Sequence, residues 1–313
     1  MSGFSPLALA FRVVPRLPFG LVLAAADVAA DVTWALRGRS VRLLERNHAR
    51  IRGRRPSGAE SRAAVRSHFR TYAEQLALGA LSGERIDQSV SFDRLPELRA
   101  LTQDGPVVLA LTHSGTYDLA AAYAGRHDLG VLTVVEKLEP PDLFRAFVDL
   151  REGLGMQILA AEKGHPVFPQ LVERARDSHA LIPLLADRDI TGSGIDVDLC
   201  GHRALVAAGP AALAERVGCP LFAGVVHSRR LPRSSGGGWG TVVEIVGPVP
   251  APGSTSRRTG VETHTQAWVD AVSPALREHV TDWHMMQPVF VEDLDPQRLA
   301  RARERHLQEG TAP

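Results

Sequence analysis

The chain predicts an α/β fold with a mostly buried central mixed β-sheet flanked by helices and preceded by a helical N-terminal layer. Three observations carry this reading. Short apolar runs alternate with helical periodicities through the middle of the chain. Several of those runs are apolar at successive positions, as strands covered on both faces are. The composition is that of a globular protein, with 44% hydrophobic and 23% charged residues among 313. That balance excludes dominant disorder and a polytopic membrane protein.

The length suits one large domain or two small ones. No repeat or linker divides it. We read a single domain with a helical layer over 1–70, an α/β core over 71–290 and a polar tail over 291–313. Cys200 and Cys219 are the only cysteines. They frame no disulfide scaffold and fit no zinc spacing, which points to a reducing compartment. A net charge of +1 gives no global field for nucleic acid, so no nucleic-acid partner is expected.

Residues 3–36 are apolar but interrupted by Arg12, Arg16, Asp27 and Asp31. The longest uncharged piece, Leu17 to Ala26, is shorter than the roughly 20 residues a spanning helix needs. No continuous apolar core with a cleavage site marks a signal peptide. Two readings stand. One is a pair of packing helices. The other is a helix in the membrane interface, with Leu7, Leu9, Phe11, Val13, Val14, Leu17, Phe19 and Leu21 entering lipid. The segment 37–70 then carries eleven arginines, from Arg37 to Arg70. They form either a solvated helix face or a surface for anionic lipid.

The core elements follow in order. Asp104-Gly105-Pro106 turns into a strand over 107–112, and an alanine-rich helix covers Asp118 to Ala124. A second strand spans Gly130 to Glu136. Pro140-Pro141 opens a helix in which Leu143, Phe144, Phe147, Val148 and Leu150 recur at helical spacing. Gln157 to Ala160 reads as a strand and Val167 to Ala175 as a helix. Ala180 to Ala186 is a strand that Pro183 demotes towards an edge or bulge. A turn at Gly192 to Gly194 leads into a strand over Ile195 to Leu199. A helix over Pro210 to Val217 and strands over Leu221 to Val226 and Thr241 to Val246 follow, with a glycine-rich loop tip from Ser234 to Gly240. A long helix is expected over 258–283.

His113-Ser-Gly-Thr-Tyr-Asp118 carries the chemistry. It sits where the first strong strand ends and a helix begins, and open α/β sheets bind their ligands there. With His113 on the loop, Asp118 in the first helical turn is expected to reach back to the imidazole. The carboxylate would hold the ring in the tautomer whose free nitrogen accepts a proton. Backbone amides near Gly115 and Thr116, at the helix start, would receive phosphate or a developing oxyanion. The alternative is a loop histidine with an aspartate capping the helix.

The phrase Leu111-Thr-His-Ser-Gly-Thr-Tyr-Asp118 resembles the H-x-x-x-x-D block of the glycerolipid and lipid A acyltransferase superfamily. In detail it is most similar to the actinobacterial phosphatidylinositol mannoside acyltransferases of the lipid A lauroyl/myristoyl branch. Blocks at 135–141, 145–151, 185–190, 194–199, 208–213 and 282–288 agree with that family in order, across most of 105–290. Leu199-Cys200 and Thr116-Tyr117 depart from it, where the family often has an aromatic pair and Asn-Trp.

The resemblance implies a glycerolipid acyltransferase-like fold. It also implies transfer of a long-chain, palmitoyl-like acyl group from acyl-CoA, as co-substrate, to a mannose hydroxyl of phosphatidylinositol mannoside. His113 would be the base, with direct attack on the thioester and no acyl-enzyme. No cofactor is expected. Glu136 and Arg151 are implied to pair and shape the acceptor site. Asp187-Arg188-Asp189, after a strand, occupies the place of an acidic, arginine-containing acceptor block, and Arg188 suits phosphate. Asp196 and Asp198 point the same way but lack a third ligand of matching spacing, so no metal is expected. Trp283 and His284 read as packing groups. A lipid acceptor and a cytosolic donor place the chain peripherally on the cytoplasmic face of the inner membrane. Alternatives are a lipid A-type acyltransferase with another glycolipid acceptor, a thioesterase or serine hydrolase using Ser114, and a lipid-binding protein without turnover. The G-x-S-x-G elbow is absent around Ser114.

Overall fold

The computed structural model describes residue 10 and residues 13–137, 140–161, 167–189, 194–232, 237–253, 257–297 and 300. Leu7, Leu9 and Phe11, most of the turn at 192–194, part of the glycine-rich tip and the tail beyond residue 300 fall outside these residues. After a 3₁₀ turn at Val14–Arg16, the described residues of the N-terminal layer form three long helices: α1 (Phe19–Leu36), α2 (Arg39–Arg52) and α3 (Gly58–Ala77). α3 starts with a capping box. The Ser57 hydroxyl accepts from the Glu60 amide at 3.2 Å, and the Glu60 carboxylate accepts from the Ser57 amide at 2.7 Å.

The core then runs α4 (Gly83–Ser89), β1 (Val90–Ser91), α5 (Leu95–Leu101), β2 (Val107–Leu111), α6 (Tyr117–Arg126), β3 (Val131–Glu136), α7 (Pro141–Gly153) and β4 (Met156–Ala161). It continues with α8 (Phe168–Arg176), β5 (Leu181–Leu185), β6 (Ile195–Leu199), β7 (His202–Val206), α9 (Gly209–Val217), β8 (Leu221–Arg230), β9 (Trp239–Val246) and α10 (Arg257–Glu278). The expected strands and helices over 107–246 are present, with shifted ends. α4, β1, α5 and β7 have no counterpart in the sequence reading. They are short and carry little periodicity, and β1 is a two-residue strand.

Among the described residues, seven strands form one mixed sheet in the order β1-β9-β8-β2-β5-β3-β4. Its pairings are parallel except for β8 with β9. β6 and β7 make a separate antiparallel hairpin. Its turn, Cys200-Gly201, takes positive φ at both residues, as a tight hairpin turn requires.

β5 is interior, which corrects the edge expected from Pro183. Pro183 pairs with Leu109 of β2, while its carbonyl on the β3 side accepts from the Thr133 hydroxyl at 2.7 Å. Only Val131 and Leu181 are paired between β3 and β5, so the ladder has already opened where the proline lacks its N–H.

Both sheet faces are covered. One side buries Trp268, Val269, Val272 and Leu213 from α10 and α9 with Phe290 beyond them, and the other buries Leu98, Leu119 and Leu129. Each such side chain contributes about 1.5–3 kcal/mol.

The N-terminal layer has its own small core of Ala30, Val41, Leu44, Ala64 and Val65. α1 lies on α3, where Arg62 and Arg66 each grip the Asp31 carboxylate through two nitrogens at 2.5 and 2.7 Å. The opposite face of α1 packs on nothing among the described residues. Leu21, Val28, Val32 and Leu36 are each more than half exposed. By length and composition alone α1 could cross a membrane. Its two aspartates, however, are paired to protein.

The expected helix over 258–283 stops at Glu278. A 3₁₀ turn at Val280–Asp282 leads into an extended strap over residues 283–290, crossing the carboxyl edge of the sheet. Asn47 of α2 donates to the carbonyls of Met285 and Gln287 at 2.8 and 3.0 Å, and His48 Nε2 meets the Trp283 carbonyl at 2.9 Å. The strap thus ties the helical layer to the sheet.

Candidate active site

His113 leaves β2 two residues beyond Leu111, and Asp187 leaves β5 two residues beyond Leu185. Leu111 and Leu185 are paired neighbours in parallel strands. Strand register therefore places Asp187 beside His113. The Asp187 carboxylate accepts from the His113 amide at 2.9 Å and faces His113 Nδ1 at 2.5 Å. Its Oδ2 also accepts from the Trp283 indole N–H at 2.6 Å. Burial alone would push this carboxyl up. The His113 charge, the His113 and Trp283 hydrogen bonds and the His113 amide outweigh burial and hold it below the ordinary aspartate range. A carboxylate only accepts, so the proton on this contact belongs to Nδ1. In the neutral ring Nε2 is then the nitrogen whose lone pair is open to accept a proton. The His113 side chain is 29% exposed, and its Nε2 has no protein partner among the described residues.

The partner expected for His113 was Asp118, and the structure corrects this. Gly115, at φ +56°, turns the chain between His113 and α6. Only glycine fits there, because a Cβ would lie 2.4 Å from the Val226 carbonyl oxygen. Asp118 then faces α7 and α3. Arg151 grips it through Nε at 2.8 Å and Nη2 at 3.0 Å, and Gln75 donates to the same carboxylate. Asp118 and Arg151 are both buried. The expected Glu136–Arg151 pair is therefore also corrected. Glu136 is exposed at the end of β3, away from that guanidinium.

The Gly115 amide does not point to an open oxyanion position, because it donates to the Asp282 carbonyl at 3.0 Å. The Thr116 hydroxyl is committed to Glu74, whose carboxyl burial pushes up. The free amides of the first turn of α6 lie just beyond. Ser114 is buried. Its oxygen meets the Thr112 hydroxyl at 2.7 Å and accepts from the Val226 amide at 3.1 Å, with no imidazole on it. That geometry does not make a nucleophile. Arg188 is half-buried and Asp189 buried, directly after Asp187 at the same sheet edge.

Trp283 and His284 do more than pack. The strap pairs with the histidine loop, with His284 N–H donating to the His113 carbonyl at 2.9 Å and Ser114 bridging to Trp283. Behind it, the Asp282 carboxylate accepts from Ser67, from the Ser228 amide at 2.9 Å and from Arg70 at 3.4 Å. Sequence spacing carries no signal for Arg70, Glu74 or Gln75, which reach the site from α3. Asp282 and Trp283 belong to a block that the resemblance had marked.

Asp196 pairs with Arg203, and Asp198 accepts from the Gly201 amide at 2.6 Å, so both serve the hairpin. Among the described residues, His227, Glu244 and His279 form one group with metal-ligand spacing. The two imidazoles stack at 3.5 Å with 2° between their planes. Parallel stacked rings send their in-plane lone pairs side by side, so this arrangement does not converge on an ion.

The model of the bacterial lipid A biosynthesis acyltransferase family matches residues 7–291. A Mycolicibacterium smegmatis protein named phosphatidylinositol mannoside acyltransferase is 33% identical over 94% of this chain and 93% of its own. A Mycobacterium tuberculosis protein of the same name is 37% identical over 55% of this chain and 51% of its own.

Proposed function

The chain belongs to the bacterial lipid A biosynthesis acyltransferase family and is an acyltransferase; from that premise we propose that it moves a long-chain, palmitoyl-like acyl group from acyl-CoA to a mannose hydroxyl of phosphatidylinositol mannoside. The names of the relatives support the acceptor. The His113–Asp187 pair is the observation that carries the chemistry.

An alcohol is a poor nucleophile at neutral pH and needs a base within hydrogen-bond reach. His113 Nε2 takes the hydroxyl proton as the oxygen attacks the thioester carbonyl. The tetrahedral oxyanion forms near the first-turn amides of α6, where the helix field is positive. It collapses with cleavage of the carbon–sulfur bond, and the imidazolium returns its proton to the departing thiolate. Asp187 keeps Nδ1 protonated and stabilises the imidazolium, and Trp283 keeps Asp187 in place. No enzyme nucleophile is needed. Asp118 and Arg151 act as positioning residues that set the start of α6. Glu136, Arg188 and Asp189 lie at the same sheet edge, where polar groups of the acceptor would meet them.

The exposed apolar stripe of α1 supports peripheral attachment to the cytoplasmic face of the inner membrane, where a lipid acceptor and a cytosolic thioester meet. The test incubates purified protein with palmitoyl-CoA, with and without mannosylated phosphatidylinositol, and follows free CoA and acylated glycolipid. The expected result is acceptor-dependent CoA release that His113→Ala lowers by about 10²–10⁴. Acceptor-independent CoA release alone would mean a thioesterase, and retention of half the activity in the variant would remove His113 as the base.

A further inference from the structure

The arginines of 37–70 do not make one basic face. Arg50 pairs with Glu292 and Asp293, Arg52 and Arg54 with Glu60, Arg62 and Arg66 with Asp31, and Arg70 lies in the network around Asp282. The rest concentrate at one place. Arg37, Arg39, Arg42, Arg46 and Arg55 line a cavity of about 670 Å³ between α2 and the start of α3, with Glu45 as its one carboxylate.

That carboxylate is already engaged, by Arg37 at 2.6 Å and by the Ser61 hydroxyl at 2.6 Å. Arg46 reaches out to Asp293 at 3.0 Å, and Arg42 donates to a backbone carbonyl. Arg39 and Arg55 have no side-chain acceptor among the described residues. Like charges gathered in a concave site raise the local potential and attract an anion. Guanidinium forks match phosphate oxygens bidentately.

Position says where that phosphate comes from. Leu36, the last residue of the exposed apolar stripe, immediately precedes Arg37. A stripe dipping into acyl chains would bring the cavity rim to headgroup depth. The cavity also lies on the side of α2 opposite Asn47 and His48, which hold the strap bearing Trp283, so it is separate from the histidine site.

We propose that this arginine cavity is a second lipid site, which takes the phosphate of an anionic lipid headgroup and docks the enzyme on its membrane. The inference rests on the peripheral membrane reading of α1. It is independent of the acyl acceptor, which the turnover assay tests by itself.

The experiment uses the full chain and vesicles of neutral phosphatidylcholine containing a minority of phosphatidic acid. A matched set carries the same negative charge as the carboxylate of a fatty acid. Native protein should prefer the phosphate vesicles. Arg39→Gln with Arg55→Gln should weaken that binding about 30-fold, since each basic residue at such a surface contributes about fivefold. Both side chains are exposed, so the melting temperature should hold. Arg39→Lys with Arg55→Lys keeps the charge but loses the fork, and should also bind phosphate vesicles more weakly than native protein. Equal binding to both vesicle sets, or native binding by the lysine pair, would reduce the site to diffuse charge and overturn it. Binding of inorganic phosphate or free coenzyme A that the glutamine pair abolishes, with no gain on vesicles, would assign the cavity to a soluble ligand and overturn the lipid source.

Discussion

Two buried aspartates flank the histidine loop, and they should fail differently. Asp187→Asn removes the acceptor that keeps Nδ1 protonated, while the side chain keeps its shape. Turnover should drop by about 10²–10⁴ with little change in melting temperature. Asp118→Asn leaves Arg151 buried without its charge partner, and breaking such a pair costs about 3–5 kcal/mol. That variant should show a large fall in melting temperature. Rate constants and thermal melts of the two variants decide the matter. An Asp118 variant with native stability and lost turnover would return Asp118 to the imidazole. The residue types of the site were readable from the sequence, since a histidine at a strand end followed by a helix start is a local pattern. Which carboxylate serves the ring was not, because both follow strands or helix starts and only the sheet order separates them.

At the scale of the element, α1 has two unlike faces. Its inner face buries Ala30 and packs Trp34, whose indole donates to the Ser61 hydroxyl at 3.2 Å. Deleting the helix would uncover Val41, Leu44 and Val65, so a deletion confuses membrane contact with folding. Point changes on the outer face avoid this. Val28→Ser with Val32→Ser should shift stability by no more than about 0.5 kcal/mol, as exposed substitutions do. Vesicle binding should fall by about tenfold or more for each side chain that enters lipid. Co-sedimentation with vesicles measures it, and unchanged binding would leave the stripe as ordinary surface. Sequence periodicity found the apolar character of this segment but allowed both a packing and an interfacial role. Structure divides the roles by face, since helical geometry sends Asp27 and Asp31 towards α3 and the stripe away from it.

Across the whole molecule, the buried His48 and the half-buried His68 and His284 sit where the helical layer meets the strap. Burial pushes His48 and His68 down to about 4 and His284 well below its ordinary value. Between about pH 4 and 6.5 the unfolded chain binds protons that the folded chain does not. Stability is therefore fully present above the unfolded histidine value and is lost as pH falls towards 4. Glu74 works the other way, because burial raises its carboxyl and the folded state takes that proton first. The histidines outnumber it, so the melting temperature should drop between pH 7 and pH 5. Calorimetry across that range checks it, and a flat profile would mean that these rings titrate in contact with water. Hydrogen exchange should show the layer loosening first, because His48 and His284 bond across the junction.

The sequence by itself determined the α/β class, most elements between residues 107 and 246, and the loop that bears His113. These rest on short-range facts, such as strand and helix periods and a histidine where one gives way to the other. It did not determine that β5 is interior, that Asp187 and not Asp118 holds the imidazole, or that Trp283 from the far end of the chain completes the pair. Sheet order joins residues 74 positions apart, through a register two residues past Leu111 and Leu185. No local spacing encodes that neighbour. Only the folded sheet decides which strand ends lie side by side, and it brings the strap over them because Trp283 and Phe290 bury their rings there.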